Sequence, residues 1–187
     1  MSDIDFSQLT RYAKQFTGLT AELESVLVGL SAEMKPHLPR ITDNFYNVLQ
    51  GIPKTQPFLE GRIDALKQTH IRWLEQVFSG PYDADYVRAM YHVGDVHVKV
   101  NLPVEFMSGA MTLVSVRLNE LLGQLLSGDP AHLVKASAAV NSVLGFTLMV
   151  MQQSYESSRL AEELEKFLKI TGMSRILFDN LASAYKD

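Results

Sequence analysis

Apolar residues recur at helical spacing along nearly the whole chain, and no alternating apolar run bounded by hairpin turns interrupts them. The segment from Phe58 to Phe78 carries the strongest signal. At about 100° per residue, Ile63, Leu66, His70, Trp73 and Val77 fall within an arc of about 80°, with Thr69 on its margin. Gly and Pro divide the remainder into further helices. Leu9, Tyr12, Ala13 and Phe16 mark a short first helix, and a second runs from about Thr20 to Met34 and stops at Pro36. A third, about Pro39 to Leu49, ends at Gly51-Ile52-Pro53. Beyond Ser79-Gly80-Pro81, helices are expected over about Tyr86–Val100, Pro103–Leu126, Pro130–Lys169 and Ser174–Tyr185. Asp83 or Asp85 can cap the first of these four, and Asp129 the third, with Pro130 at its first helical position. The pattern predicts an all-α fold. By itself it goes no further.

A chain of 187 residues, 47% of them hydrophobic, can bury one substantial core. One domain over 1–165 is expected, followed by a helical C-terminal extension over 166–187 that is either a tail or the start of a linker to an output domain absent from this chain. The net charge of −4, with no face rich in Lys or Arg, argues against nucleic-acid binding. The absence of cysteine excludes disulfides, cysteine-based zinc sites, iron–sulfur clusters and covalent C-x-x-C-H haem attachment. The start, Met1-Ser2-Asp3-Ile4-Asp5, has no apolar stretch of a leader. The most apolar run, Ala138 to Met151, is too short for a bilayer and carries Asn141, Ser142 and Thr147. A cytoplasmic chain without membrane insertion is expected.

Chemistry, if present, rests on five histidines. His37 and His132 sit at helix starts and read as surface or capping residues. His92 and His97 share a helix but are five positions apart, so they cannot both face one pocket. A lone His on an apolar face is more often a hydrogen-bonded core residue than a ligand. Haem iron, however, needs a neutral imidazole within a packed apolar slot, and His97 has Val93, Val96, Val100 and Leu102 about it. No phosphate loop, H-E-x-x-H or Ser-His-Asp arrangement is seen. Glu162-Glu163-Glu165 reads as a solvated helix face.

An ordered set of short motifs narrows the choice. Leu66-x-x-Thr69-x-x-x-Trp73-x-x-x-x-Phe78-x-Gly80, Asp83-x-x-Tyr86, Val93-Gly94-x-x-His97-Val98 and Leu102-Pro103 together resemble the globin-coupled sensor family over about Phe45 to Ala110. The resemblance implies a globin-like fold with an extra N-terminal helix, a shortened region after the third helix, and long last two helices. It implies one non-covalent haem b, with His97 as proximal iron ligand. Tyr46 would present a hydroxyl to the gas, Leu66 would cover the distal side, and Thr69 would supply a second hydroxyl. Phe45, His70, Val96 and Phe106 complete the expected cofactor lining. Two positions depart from the family: Phe106 stands where relatives often have Tyr, and His70 lies in the apolar stripe. His70 can be a buried structural residue, a distal ligand, or a partner of a haem propionate.

The implied function is sensing of a diatomic gas (O2, NO or CO), not catalysis. A homodimer through the last two long helices is expected. Ala138, Val140, Val143, Leu144, Leu148 and Met151 form more apolar surface there than one small globin is expected to cover. Two alternatives stand beside this: a peroxidase-like or NO-consuming globin enzyme, and a haem-free sensor globin acting as an interaction module.

Overall fold

The computed structural model describes residues 4–184 and is wholly helical among them, with no strand. Met1, Ser2 and Asp3 of the expected leaderless start, and Tyr185 of the last expected helix, lie outside the described residues.

α1 (Phe6–Thr17) is capped by Asp5, whose carboxylate accepts from Gln8 N at 2.9 Å, and it ends at Gly18 in the left-handed region. Its buried face is Thr10 and Ala13, with Phe6 and Leu9 packed beside them, whereas Tyr12 and Phe16 are exposed. The expected apolar face of this helix was therefore turned by about one residue.

The second expected helix is broken. α2 (Ala21–Gly29) stops at Leu30, and α3 (Ser31–Met34) leads through a 3-10 turn at Lys35–His37 into α4 (Leu38–Gln50). The helix expected over Phe58–Phe78 is broken as well. A single turn, α5 (Gln56–Leu59), precedes Gly61 at φ 70°, and α6 runs only over Ile63–Val77. Gly61 supplies a left-handed residue at little steric cost, and this turns the chain out of the helix. Buried Thr55 closes the α4–α5 turn, its hydroxyl donating to the carbonyls of Leu49 and Ile52.

α7 (Ala84–Lys99) is capped by Asp83, which accepts from Asp85 N and Tyr86 N. α8 (Val104–Leu125) and α9 (Pro130–Thr171) are joined by a short turn in which Asp129 accepts from His132 N at 3.0 Å. After Gly172 (φ 67°), α10 (Arg175–Ala184) folds back far enough for Phe178 to meet Phe167 edge-on and Arg175 to pair with Glu165.

α9 is the centre of the molecule: α1, α2, α7 and α8 all pack on it. By length and composition it is apolar enough to cross a membrane, and 44% of its most apolar stretch is buried inside the protein. Val140, Val143, Leu144 and Met151 are buried within the chain itself, Leu148 is half-buried, and only Ala138 is exposed. These residues therefore do not form the surplus apolar surface expected of them. α8, α7 and α1 cover them.

Candidate functional site

α4 packs on α6 and α8, α8 packs on α9, and α7 packs on α9 and α1. α4, α6 and α7 carry most of the residues singled out in the sequence.

The first set comes from α4 and α6. Phe45 and Tyr46 are buried on α4, and their rings meet edge-on at 5.1 Å. His70 comes from α6 and is sandwiched among aromatics. It stacks on Phe45 at 4.7 Å, meets Tyr46 edge-on at 5.8 Å, and lies 5.3 Å from Trp73. Its Nδ1 is 2.9 Å from the hydroxyl of Thr42, which is fully buried. Burial pushes the His70 imidazole down to about 4 and the Tyr46 phenol up to about 12. At neutral pH His70 is therefore uncharged and Tyr46 keeps its O–H.

Leu66, one turn before His70, is half-buried and lies against the core. Thr69 is placed differently. It is exposed, its hydroxyl donates to Ala65 O at 3.0 Å, and Arg72 Nη2 approaches it at 3.4 Å. That hydroxyl is engaged by its own helix, as Thr hydroxyls in helices commonly are.

The second set comes from α7. Successive residues turn by about 100°, which separates a back face of Gly94 and Val98 from a front face of Val93, His97 and Val100. Gly94 and Val98 are buried, whereas Val93, His97 and Val100 are half-buried and Val96 is 42% exposed. Burial lowers the His97 pKa, so its ring is neutral at pH 7 and has a lone pair to offer. α7 ends at Asn101 (φ 54°), and Leu102 N returns to His97 O at 2.9 Å. Phe106, half-buried at the start of α8, meets Phe58 edge-on at 6.0 Å.

Among the described residues, three buried side-chain nitrogens have no hydrogen-bond partner: His70 Nε2, Trp73 Nε1 and His97 Nδ1. All three lie on α6 or α7. Trp73 Nε1 sits near enough to the Tyr86 hydroxyl to act on its pKa, yet outside hydrogen-bond geometry. Buried polar groups in folded proteins are nearly always paired, so each of these nitrogens is a candidate to meet a bound group. No group of three or more His, Asp or Glu suited to a metal ion occurs among the described residues. The donor chemistry is that of isolated imidazoles in an apolar surround. A neutral His97 imidazole, with half-buried Leu66, Val93, Leu102 and Phe106 as candidate apolar lining, fits a haem that His97 would hold.

The other histidines lie elsewhere: His92 is exposed on α7, and His37 and His132 are half-buried at the starts of α4 and α9. Thr42 gave no sequence signal, and Phe58 stood out only as the start of an expected helix. The Thr42–His70 bond joins residues 28 apart, and Phe58 belongs to a turn that the apolar periodicity had merged with α6.

Residues 7–161 match the Protoglobin family. The structure resembles the globin domain of a Geobacter sulfurreducens globin-coupled sensor. Identity is 31%, with 78% of this chain and 96% of that domain covered at a TM-score of 0.72. It also shares its fold with the globin domain of DosC from E. coli. The ferric form is 20% identical and the ferrous form 21%; each match covers 76% of this chain and 99% of that one at TM-score 0.62. On the family match over most of its length, the chain belongs to the protoglobin family.

Proposed function

We propose that this chain is a haem-based sensor of a diatomic gas (O2, NO or CO), and not an enzyme. The observation that carries the reading is that, among the described residues, the unpaired buried side-chain nitrogens are those of His70, Trp73 and His97, on α6 and α7. His97 holds the iron of a non-covalent haem b. Leu66, Val96, Phe45 and Phe106 contribute the apolar lining, and His70 and Tyr46 complete the distal side. A haem bound here would supply an iron able to bind a gas molecule.

What the chain adds is selectivity. Tyr46, kept protonated by burial, donates its hydroxyl hydrogen to the gas ligand and favours one that draws electron density outward. Such a bond is worth ~1 kcal/mol, up to ~3 where the acceptor carries charge. Since ~1.4 kcal/mol is tenfold in affinity, one hydroxyl sets the working range.

His70 supports a second reading of the resting state. If its Nδ1–H donates to Thr42, the Nε2 lone pair is free and His70 would be able to hold the iron as a second ligand. If Thr42 donates instead, Nε2–H points into the site as a second donor to the gas.

The signal leaves through α8 and α9, where two copies pair, and through residues 166–187 toward an output module. Val116, Leu125, Val134, Leu160, Phe167 and Ile170 are among the exposed apolar residues on these helices that such pairing can cover. Light scattering is expected to give a dimer mass at micromolar concentration; a monomer mass rules the pairing out. Absorption spectra of the ferric, ferrous and CO-treated protein test the sensor reading itself. A haem band that responds to CO is expected, and a colourless chain after reconstitution overturns it. A six-coordinate ferrous spectrum abolished by His70→Leu selects the ligand reading of His70.

A further inference from the structure

The back of α7 carries a second constellation that gas binding does not use. Asp95 and His97 are two residues apart, about 200° around the helix, so they point to opposite sides. Away from the side of α7 that carries His97, Asp95 faces α9. There one oxygen of its carboxylate accepts two hydroxyl hydrogens, from Ser154 at 2.6 Å and from Ser158 at 2.9 Å. The two serines are one turn apart on α9, and Ser154 is fully buried.

Gly94 makes this grip possible. A Cβ there would lie 2.6 Å from Met151 O and 2.8 Å from Ser154 Oγ, so the two backbones approach as closely as the chemistry permits. One residue further along α9, Tyr155 donates to Leu102 O at 2.6 Å, in the loop that follows His97. Hydrogen bonds to a charged acceptor are short and strong, and two of them to one oxygen leave α7 little freedom to slide on α9. Past Ser158, α9 continues unbroken to Thr171, and its exposed Leu160, Phe167 and Ile170 are outside the globin core.

We infer that Asp95 is a positioning residue: it clamps the helix bearing His97 to Ser154 and Ser158, so that displacement of the His97 turn is carried into the C-terminal half of α9. The inference rests on the sensor reading above and names the internal route of its signal.

The test uses the full chain. Hydrogen–deuterium exchange is measured on the haem-loaded protein, ferrous with and without CO, and wild type is expected to differ between the two states over residues 159–171. Ser154→Ala/Ser158→Ala and Asp95→Ala are expected to keep the haem band and CO binding but to lose that difference. Asp95→Asn retains an acceptor oxygen and is expected to restore part of it.

A second readout needs no haem. In the haem-free chain, denaturant unfolding of Asp95→Ala, of the double serine variant and of their combination is expected to be non-additive, as for groups in one network. Equal exchange in both states of the wild type, variants that keep the difference, or additive unfolding each overturn the clamp while leaving haem sensing intact. Failure of the wild type to hold haem overturns the sensor reading instead.

Discussion

Phe45 and His70 lie face to face, their ring centroids 4.7 Å apart and their planes 6° from parallel. The stack, with Thr42 on one edge, holds a neutral imidazole in an almost wholly apolar place. Protonating it there is costly, and this has a measurable consequence for acid stability.

In the unfolded chain His70 titrates near 6.5, whereas in the folded chain burial lowers it to about 4. Between those values the unfolded state binds more protons, so stability falls as pH drops. The loss begins near pH 6.5 and is complete near pH 4, amounting to about 3 kcal/mol. His97, also lowered by burial, acts in the same direction. Urea unfolding of the haem-free chain at pH 7, 5.5 and 4.5 checks this. His70→Phe is expected to flatten the profile, and an unchanged slope in that variant rules His70 out as its source.

His97 and His92 share α7 but not a face, and His92 is exposed. His97→Ala is expected to lose the haem band during purification, and His92→Ala to keep it. Normal haem retention by the His97 variant removes it as the anchor.

Tyr46→Phe is expected to speed O2 release by roughly tenfold or more, because ~1.4 kcal/mol or more of hydrogen bonding is lost. CO, less polarised, is expected to leave at nearly the wild-type rate. Thr69→Val is expected to leave O2 release almost unchanged, since that hydroxyl is exposed and bonded to Ala65 O. Stopped-flow release rates decide both. A Tyr46→Phe protein with wild-type O2 release leaves His70 as the distal donor.

Gly94→Ala forces a methyl against the backbone carbonyl of Met151, which cannot swing aside as a side-chain tip can. Overpacking of this kind costs about 1–3 kcal/mol. A lower Tm is expected for the variant, and an unshifted one means that α7 and α9 can separate without loss.

Residues that act locally were legible in the sequence. Asp83 and Asp129 cap α7 and α9 as their types and positions suggested, and the apolar spacing around Trp73 gave α6 its facing side. The breaks at Leu30 and Gly61 were not. An apolar periodicity runs through both, and a lone glycine in such a run is tolerated by a helix as readily as it ends one. Contacts between distant residues were invisible for a different reason. Thr42 meets His70 across 28 positions and Ser158 meets Asp95 across 63, and neither pair has a sequence signature apart from the fold that joins it. The apolar run of α9 misled in the opposite sense. Composition gave its quantity correctly, but only packing reveals that α1, α7 and α8 consume it.

α9 is 42 residues long, which at 1.5 Å per residue is ~63 Å. A compact chain of this size has a radius of gyration of only ~16 Å. The helix is thus longer than the body it runs through, and under the clamp inferred above it acts as a lever with its fulcrum near Ser154. From there to Gly172 the arm is ~27 Å, so a tilt of ~5° moves the far end by roughly 2 Å. Atoms at the fulcrum need hardly shift at all. Length alone turns a change of angle beside His97 into a displacement that another molecule can read.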